Sequence, residues 1–268
     1  MANSQATHQG PRCVPDIVKN AIRTGQIQNG NVSFDMLRRI AGRDRYCWHQ
    51  LGRGRNILCT QEQLDQYLYS YGPMTKSQWQ LFLPGATIPK GAIRILDYGC
   101  GQGLASILLF DILGKDFVNR VESVVLVEPS GIALERARSV LGCYLGMRPV
   151  IAIQKKLDAV TPHELRTVEG TTNLHLMSNV LDIGSFQHVS LFRKMLMAQG
   201  HHSLLAVSHN RDFHGGSERF KQLESYIHDK KKSAWFSLES SRIKEFYCQI
   251  DRPAISWEFH AEVLRGSI

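Results

Sequence analysis

The sequence predicts an α/β protein: an open, mostly parallel sheet preceded by a block of helices. Three observations predict it. First, the strand-like run Ala92-Ile93-Arg94-Ile95-Leu96 leads into Asp97-Tyr98-Gly99-Cys100-Gly101-Gln102-Gly103, and helical apolar spacing begins at Leu104. Second, the β-branched run Val124–Val127 ends in Glu128-Pro129-Ser130 and is again followed by helical spacing. Third, residues 1–85 carry helical periodicity and cap signals. Strand, turn and helix in repetition build a parallel sheet with helices on its faces.

The glycine turn narrows the ligand. Glycines at a strand end let the backbone turn sharply and approach a ligand closely. The dinucleotide pattern G-x-G-x-x-G needs a glycine at its sixth position. Counted from Gly99 that position is Leu104, and from Gly101 it is Ser106. The pattern present is D-x-G-x-G-x-G, with Asp97 two residues before the first glycine. A carboxylate there suits an ammonium or sulfonium group and repels a pyrophosphate. Glu128 lies about 25 residues beyond Gly103, close to the roughly 20 expected of a ribose-binding acid. A carboxylate can accept hydrogen bonds from both ribose hydroxyls.

These two stretches resemble motifs I and II of the class I S-adenosylmethionine-dependent methyltransferases. The resemblance extends over about residues 93–263 and reaches no particular subfamily. It implies a Rossmann-like, seven-stranded, mostly parallel sheet, S-adenosyl-L-methionine as cofactor, and methyl transfer as the activity. By the same resemblance, Asp97 and the turn through Gly99, Cys100, Gly101 and Gly103 hold the methionine end. Glu128 takes the ribose, and Pro129 lies near the adenine.

The elements follow in order. Val14–Ile22 has helical spacing, Ser33 caps a helix through Ile40, and Thr60-Gln61-Glu62-Gln63 matches the capping box of a third. Gly72-Pro73 stops that helix, and a short one runs from Thr75 to Phe82. This block, residues 1–85, is expected to form a lid or substrate region before a cofactor-binding domain at residues 86–268. Tyr67, Tyr71 and Trp79 are its candidates to close over the cofactor, or to pack between lid and sheet. Ser130 caps the helix whose apolar positions are Ile132, Ala133, Ala137, Val140 and Leu141, with Glu135, Arg136 and Arg138 between them.

Val150–Ile153 is the third strand. The resemblance places an adenine-binding acid after it, where Asp158 is available and Leu157 can pack on the ring. The fourth strand ends at Ser178-Asn179-Val180, which the resemblance brings to the transferring methyl, with Asn179 touching cofactor or substrate. The Asn-Pro-Pro-Tyr type of signature and a Pro-Cys nucleophile are both absent from the sequence, which argues against the usual DNA amino and cytosine-C5 methylation. The fifth strand, Ser203–Ser208, leads to His209, a candidate general base, with His214 second. A helix over residues 217–227 precedes two last strands, Phe236–Leu238 and Ile255–Val263.

Composition bounds the partners. The formal net charge is +8, which favours an anionic partner. Arg38, Arg39, Arg43, Arg45, Arg53 and Arg55 cluster against one acid, Asp44, with Tyr46, Trp48 and His49 interleaved. That composition suits gripping phosphates and stacking bases, and equally suits a solvated helix face. The acceptor is therefore RNA or another anion, or a small molecule under the lid; a catalytically silent scaffold is the reading of another class. Six cysteines form no C-x-x-C pair, and the histidines lack metal-ligand spacing. No apolar run approaches the length of a membrane span and the first residues are polar, so a cytoplasmic protein without a resident metal is expected.

Overall fold

A computed structural model describes residues 15–183, 186–210, 216–231, 233–249 and 251–264. Four helices come first: α1 (Ile17–Arg23), α2 (Phe34–Ala41), α3 (Gln61–Ser70) and α4 (Gly72–Phe82). A 3-10 segment, Trp48–Gly54, lies between α2 and α3. Then come β1 (Ala92–Tyr98), α5 (Leu104–Arg120), β2 (Val121–Val127), α6 (Gly131–Leu145), β3 (Val150–Ile153) and β4 (Thr171–Ser178). The chain continues with α7 (His188–Met195), β5 (Gly200–His209), α8 (Gly216–Lys230), β6 (Phe236–Cys248) and β7 (Arg252–Val263).

The sheet has seven strands in the order β3-β2-β1-β4-β5-β7-β6. β3, β2, β1, β4 and β5 run parallel, and β7 is antiparallel to both β5 and β6. β1 has β2 on one side and β4 on the other. Their carboxyl ends therefore open the crevice where ligands bind in such sheets. The pairing of Tyr98 with Val127 and with Met177 brings the residues that follow β1, β2 and β4 side by side.

Two cores sandwich the sheet. On one face Val18, Phe34 and Trp79 from the first helices share a cluster with Ile93, Ile95, Ile107 and Leu126. On the other, Leu96, Tyr98 and Val127 pack with Phe192, Phe220 and Trp257. Alternation along β1 sends Ile95 and Leu96 to opposite clusters, as the pleat requires.

Local chemistry explains the helix starts. Ser33 Oγ accepts from Met36 N, Thr60 and Gln63 form a reciprocal capping box, and Ser130 Oγ accepts from Ala133 N. Asp16, unforeseen in sequence, caps α1 by accepting from Val18 N and Lys19 N. Gly72-Pro73 not only ends α3 but opens α4, with the proline in the first turn where its missing N–H costs nothing. The expected three-residue β6 is instead thirteen residues long. It is an edge strand, and its charged, exposed positions hide it from an apolar count.

Candidate functional site

A cavity of about 280 Å³ opens at the ends of β1, β2 and β4. Gly99, Gly101, Glu128, Pro129, Ser178 and Asn179 line it, with Leu157 and Asp158 beyond them. A recess of about 30 Å³ shares Gly99, Gly101, Ser178 and Asn179 and adds Asp97 and Cys100. The loop before α3 and α3 itself add wall on the helical side, through Arg55, Ile57, Leu58 and Tyr67.

Asp97 is 1% exposed. Its Oδ2 accepts from Ser106 Oγ at 2.7 Å, while its Oδ1 is buried with no hydrogen-bond partner among the described residues. Burial pushes its carboxyl up to about 7, against the pull of the Ser106 bond, and the Glu128 charge adds to the rise. An orphaned acceptor of this kind is costly unless something donates to it. Glu128 is better supported: Oε2 accepts from Gly101 N at 3.1 Å and Oε1 from Ser130 N at 2.9 Å. Burial raises its carboxyl as well. Both oxygens keep a further lone pair.

The turn between them needs glycine. Gly99 has φ of +61°, and a Cβ there would stand 2.9 Å from Val180 Cγ2. Gly101 also has positive φ, and a Cβ there would meet open space, so the backbone is bare to the cavity. Gly103 differs from expectation. A Cβ there would stand 3.1 Å from Ala137 Cβ, so Gly103 serves the packing of α5 on α6 and does not line the cavity.

Asn179 sits in the left-handed region at φ of +53°. Its N donates to Val207 O, and its side-chain amide is bound reciprocally to that of the fully buried Gln78. An amide neither takes up nor gives up a proton near neutral pH, so Asn179 is not a general base. Ser178 Oγ accepts from Trp79 Nε1 at 3.0 Å, and the Trp79 ring is wholly buried. Trp79 is thus a packing residue and Tyr67 lines the cavity, whereas Tyr71 faces a neighbouring groove. Helical geometry sets Tyr71 one turn on from Tyr67, with ring centroids 5.1 Å apart.

Three other expectations shift. His209 lines neither cavity nor groove, because β5 continues to pair with β7 through His209 and Ala254, which buries it. His214 lies outside the described residues. Asp158 lines the cavity, but its Oδ1 accepts from Gln187 N at 2.8 Å. The six arginines do not form one surface. Arg45 is ion-paired to Asp65 at 2.7 Å and Arg38 is half-buried, while Arg39, Arg43, Arg53 and Arg55 are exposed.

Sequence reasoning missed the strut behind this site. Arg136 is 2% exposed. It bonds Asp16 of the α1 cap, Asp65 and Gln61 of α3, and Gln102 of the glycine turn. Gln102 Nε2 in turn donates to Leu64 O, and Ser130 Oγ to Leu58 O. The signal was its position, three after Ala133 and four before Val140, which puts an arginine on the apolar face of α6. Ser106 carried a similar signal as a hydroxyl inside the apolar start of α5.

Among the described residues no helix is long and apolar enough to cross a membrane. No protein-family model matches the chain, and no curated protein is significantly similar to it. Solved structures do resemble it. A SAM-dependent methyltransferase of Leishmania major is 15% identical, with 87% of this chain and 94% of that one covered and a TM-score of 0.44. TYW2 of M. jannaschii in complex with AdoMet is 12% identical, over 66% of this chain and 71% of that one, with a TM-score of 0.44. An rRNA methylase from Streptococcus thermophilus is 14% identical, over 72% and 96%, with a TM-score of 0.42. The mixed seven-stranded sheet is the one that the sequence resemblance implies. S-adenosylmethionine fits the groups at its crevice: a buried carboxyl oxygen with no donor among the described residues, a bare glycine backbone, and a second carboxylate at the next strand end.

Proposed function

We propose that the chain is an S-adenosylmethionine-dependent methyltransferase whose acceptor is anionic, with RNA favoured over a free small molecule. Asp97, whose Oδ1 has no donor among the described residues, carries the methyl-transfer part of this reading, since it lines the inner recess of the crevice one strand away from Glu128. An ammonium group satisfies that oxygen and holds the carboxylate ionised. Glu128, steadied by Gly101 N and Ser130 N, is placed to accept from ribose hydroxyls. Pro129 and Leu157 offer apolar walls for a purine.

When bound, the cofactor supplies an activated methyl on a sulfonium sulfur, which keeps the bonding electron pair as the methyl leaves. The chain's own task is then to position the acceptor and exclude water. Asn179 is held for positioning by Gln78, and Ser178 by Trp79. The wall from residues 54–58 and Tyr67 covers the cavity from the helical side. The net charge of +8 and the exposed Arg39, Arg43, Arg53 and Arg55 support an anionic acceptor.

Titration calorimetry with S-adenosylmethionine tests the reading. Saturable binding that is lost in both Asp97→Ala and Glu128→Ala is expected. Absence of binding to the folded parent chain overturns it.

A further inference from the structure

The cofactor cavity has an open neighbour. A groove of about 820 Å³ lies beside it, lined by Trp48, His49, Arg53, Arg55, Tyr71 and Ile183. No carboxylate is among its lining residues within the described part of the chain.

Its aromatic surface is held out on purpose by its surroundings. Trp48 is 67% exposed, and Tyr46 just before it is 82% exposed. The backbone beneath them is nonetheless fixed. Arg45 N and Cys47 N both donate to Gln66 Oε1, Arg45 pairs with Asp65, and Leu51 is fully buried. Tyr46, Gly52 and Arg53 all take left-handed backbone angles. For tyrosine and arginine that conformation is strained, and such strain concentrates where a ligand is held. A segment whose backbone is already anchored leaves only the exposed indole to be ordered when a flat ring stacks on it, which keeps the cost of binding low.

The groove is also continuous with the cavity. Arg55, Asn56 and Ile183 line both spaces. Tyr67 faces the cavity and Tyr71 the groove, with their rings in contact. A ligand seated in the groove therefore borders the space assigned to the cofactor.

We propose that this groove seats an unpaired nucleotide of single-stranded RNA, stacked on Trp48 with its phosphates against Arg53 and Arg55. The proposal rests on the methyl-transfer reading above. Ring faces and phosphates must be accessible together for this set of groups to be used. In a duplex the faces are stacked away, whereas an unpaired strand exposes both. An open groove cannot enclose a small molecule on its own.

The test uses the full chain, with and without S-adenosylmethionine, and a short end-labelled single-stranded RNA followed by fluorescence anisotropy. Trp48→Ala is expected to weaken binding by about ten- to a hundred-fold, and Trp48→Phe to restore most of it. Arg53→Ala should lower the slope of log affinity against log salt by about 0.7. Parent-like binding by Trp48→Ala overturns the proposal. So does equal affinity for the duplex, for a mononucleotide or for heparin. Calorimetry with S-adenosylmethionine on the same samples separates the two readings. A parent chain that binds RNA through Trp48 but lacks cofactor affinity refutes methyl transfer alone. Cofactor binding with Trp48-independent RNA affinity refutes the groove alone.

Discussion

Gln78 and Asn179 join their side-chain amides head to tail. Asn179 Nδ2 donates to Gln78 Oε1 at 2.8 Å, and Gln78 Nε2 donates to Asn179 Oδ1 at 3.2 Å. One residue belongs to α4 and the other follows β4, so the pair fastens the helical block to the crevice. Gln78→Ala leaves the Asn179 amide without its partner in a half-buried site. A loss of about 1–3 kcal/mol in unfolding free energy is expected, with weaker cofactor binding. Denaturant unfolding and calorimetry check both, and parent-like values in both would dismiss the role.

Asp97 should make stability and ligand affinity respond oppositely to pH. Its folded-state value is raised to about 7 from 3.8. A raised carboxyl lends stability in full below the unfolded value and loses it as pH climbs from 3.8 through 7. The loss is at most about 4 kcal/mol by pH 8. Asp97→Asn should therefore melt higher than the parent at pH 8 without ligand, and the gain should vanish near pH 4. S-adenosylmethionine affinity of the parent should rise from pH 6 to pH 8 as the carboxylate forms, and Asp97→Asn should lose that dependence.

The buried chain of Tyr98, His175 and His202 predicts acid sensitivity. Tyr98 Oη is 3.0 Å from His175 Nδ1, His175 Nε2 is 3.0 Å from His202 Nδ1, and His202 Nε2 is 2.8 Å from Ala198 O. With donation from His202 to the carbonyl, every bond is satisfied by neutral rings. Burial lowers His202 to about 4 and His175 well below its usual value. Groups lowered in this way stabilise the fold above 6.5, and that stability drains away as pH falls from 6.5 toward 4. The His202 share is about 3 kcal/mol. Unfolding measured across that window should show a shallower slope in His202→Leu than in the parent.

Arg136→Ala should cost about 3–5 kcal/mol, since it leaves the buried Asp16 carboxylate without its cation and Asp65 with Arg45 alone. Denaturant unfolding reads this directly. A change below 1 kcal/mol would show that the network contributes little.

Much of this was legible in the residues. The parallel strands announced themselves because their β-branched runs are buried on both faces, as Val124–Val127 are. The caps at Ser33, Thr60 and Ser130 were readable because capping is local chemistry. The turn at Gly99 and Gly101 and the strand-end positions of Asp97 and Glu128 likewise follow from order along the chain. What escaped depends on contacts between distant residues. Gln78 meets Asn179 across 101 residues of chain, and no spacing rule connects them. Tyr71 is the residue the sequence reading places at the cofactor, but Tyr67, one turn earlier on the same helix, lines the cavity instead, a choice that helical spacing alone does not make. His209 was misplaced because the antiparallel β7 extends the sheet by tertiary pairing alone.

Arg136 also sets an order of events during synthesis. Its acidic partners lie 120 and 71 residues earlier in the chain. At roughly 5–20 residues per second, Asp16 is made several seconds before Arg136, while Asp65 already has Arg45 to pair with. The first helices can form on their own caps in that interval, yet the Asp16 carboxylate must stay hydrated until α6 arrives. The wall over the crevice is therefore installed after the glycine turn it covers has been made.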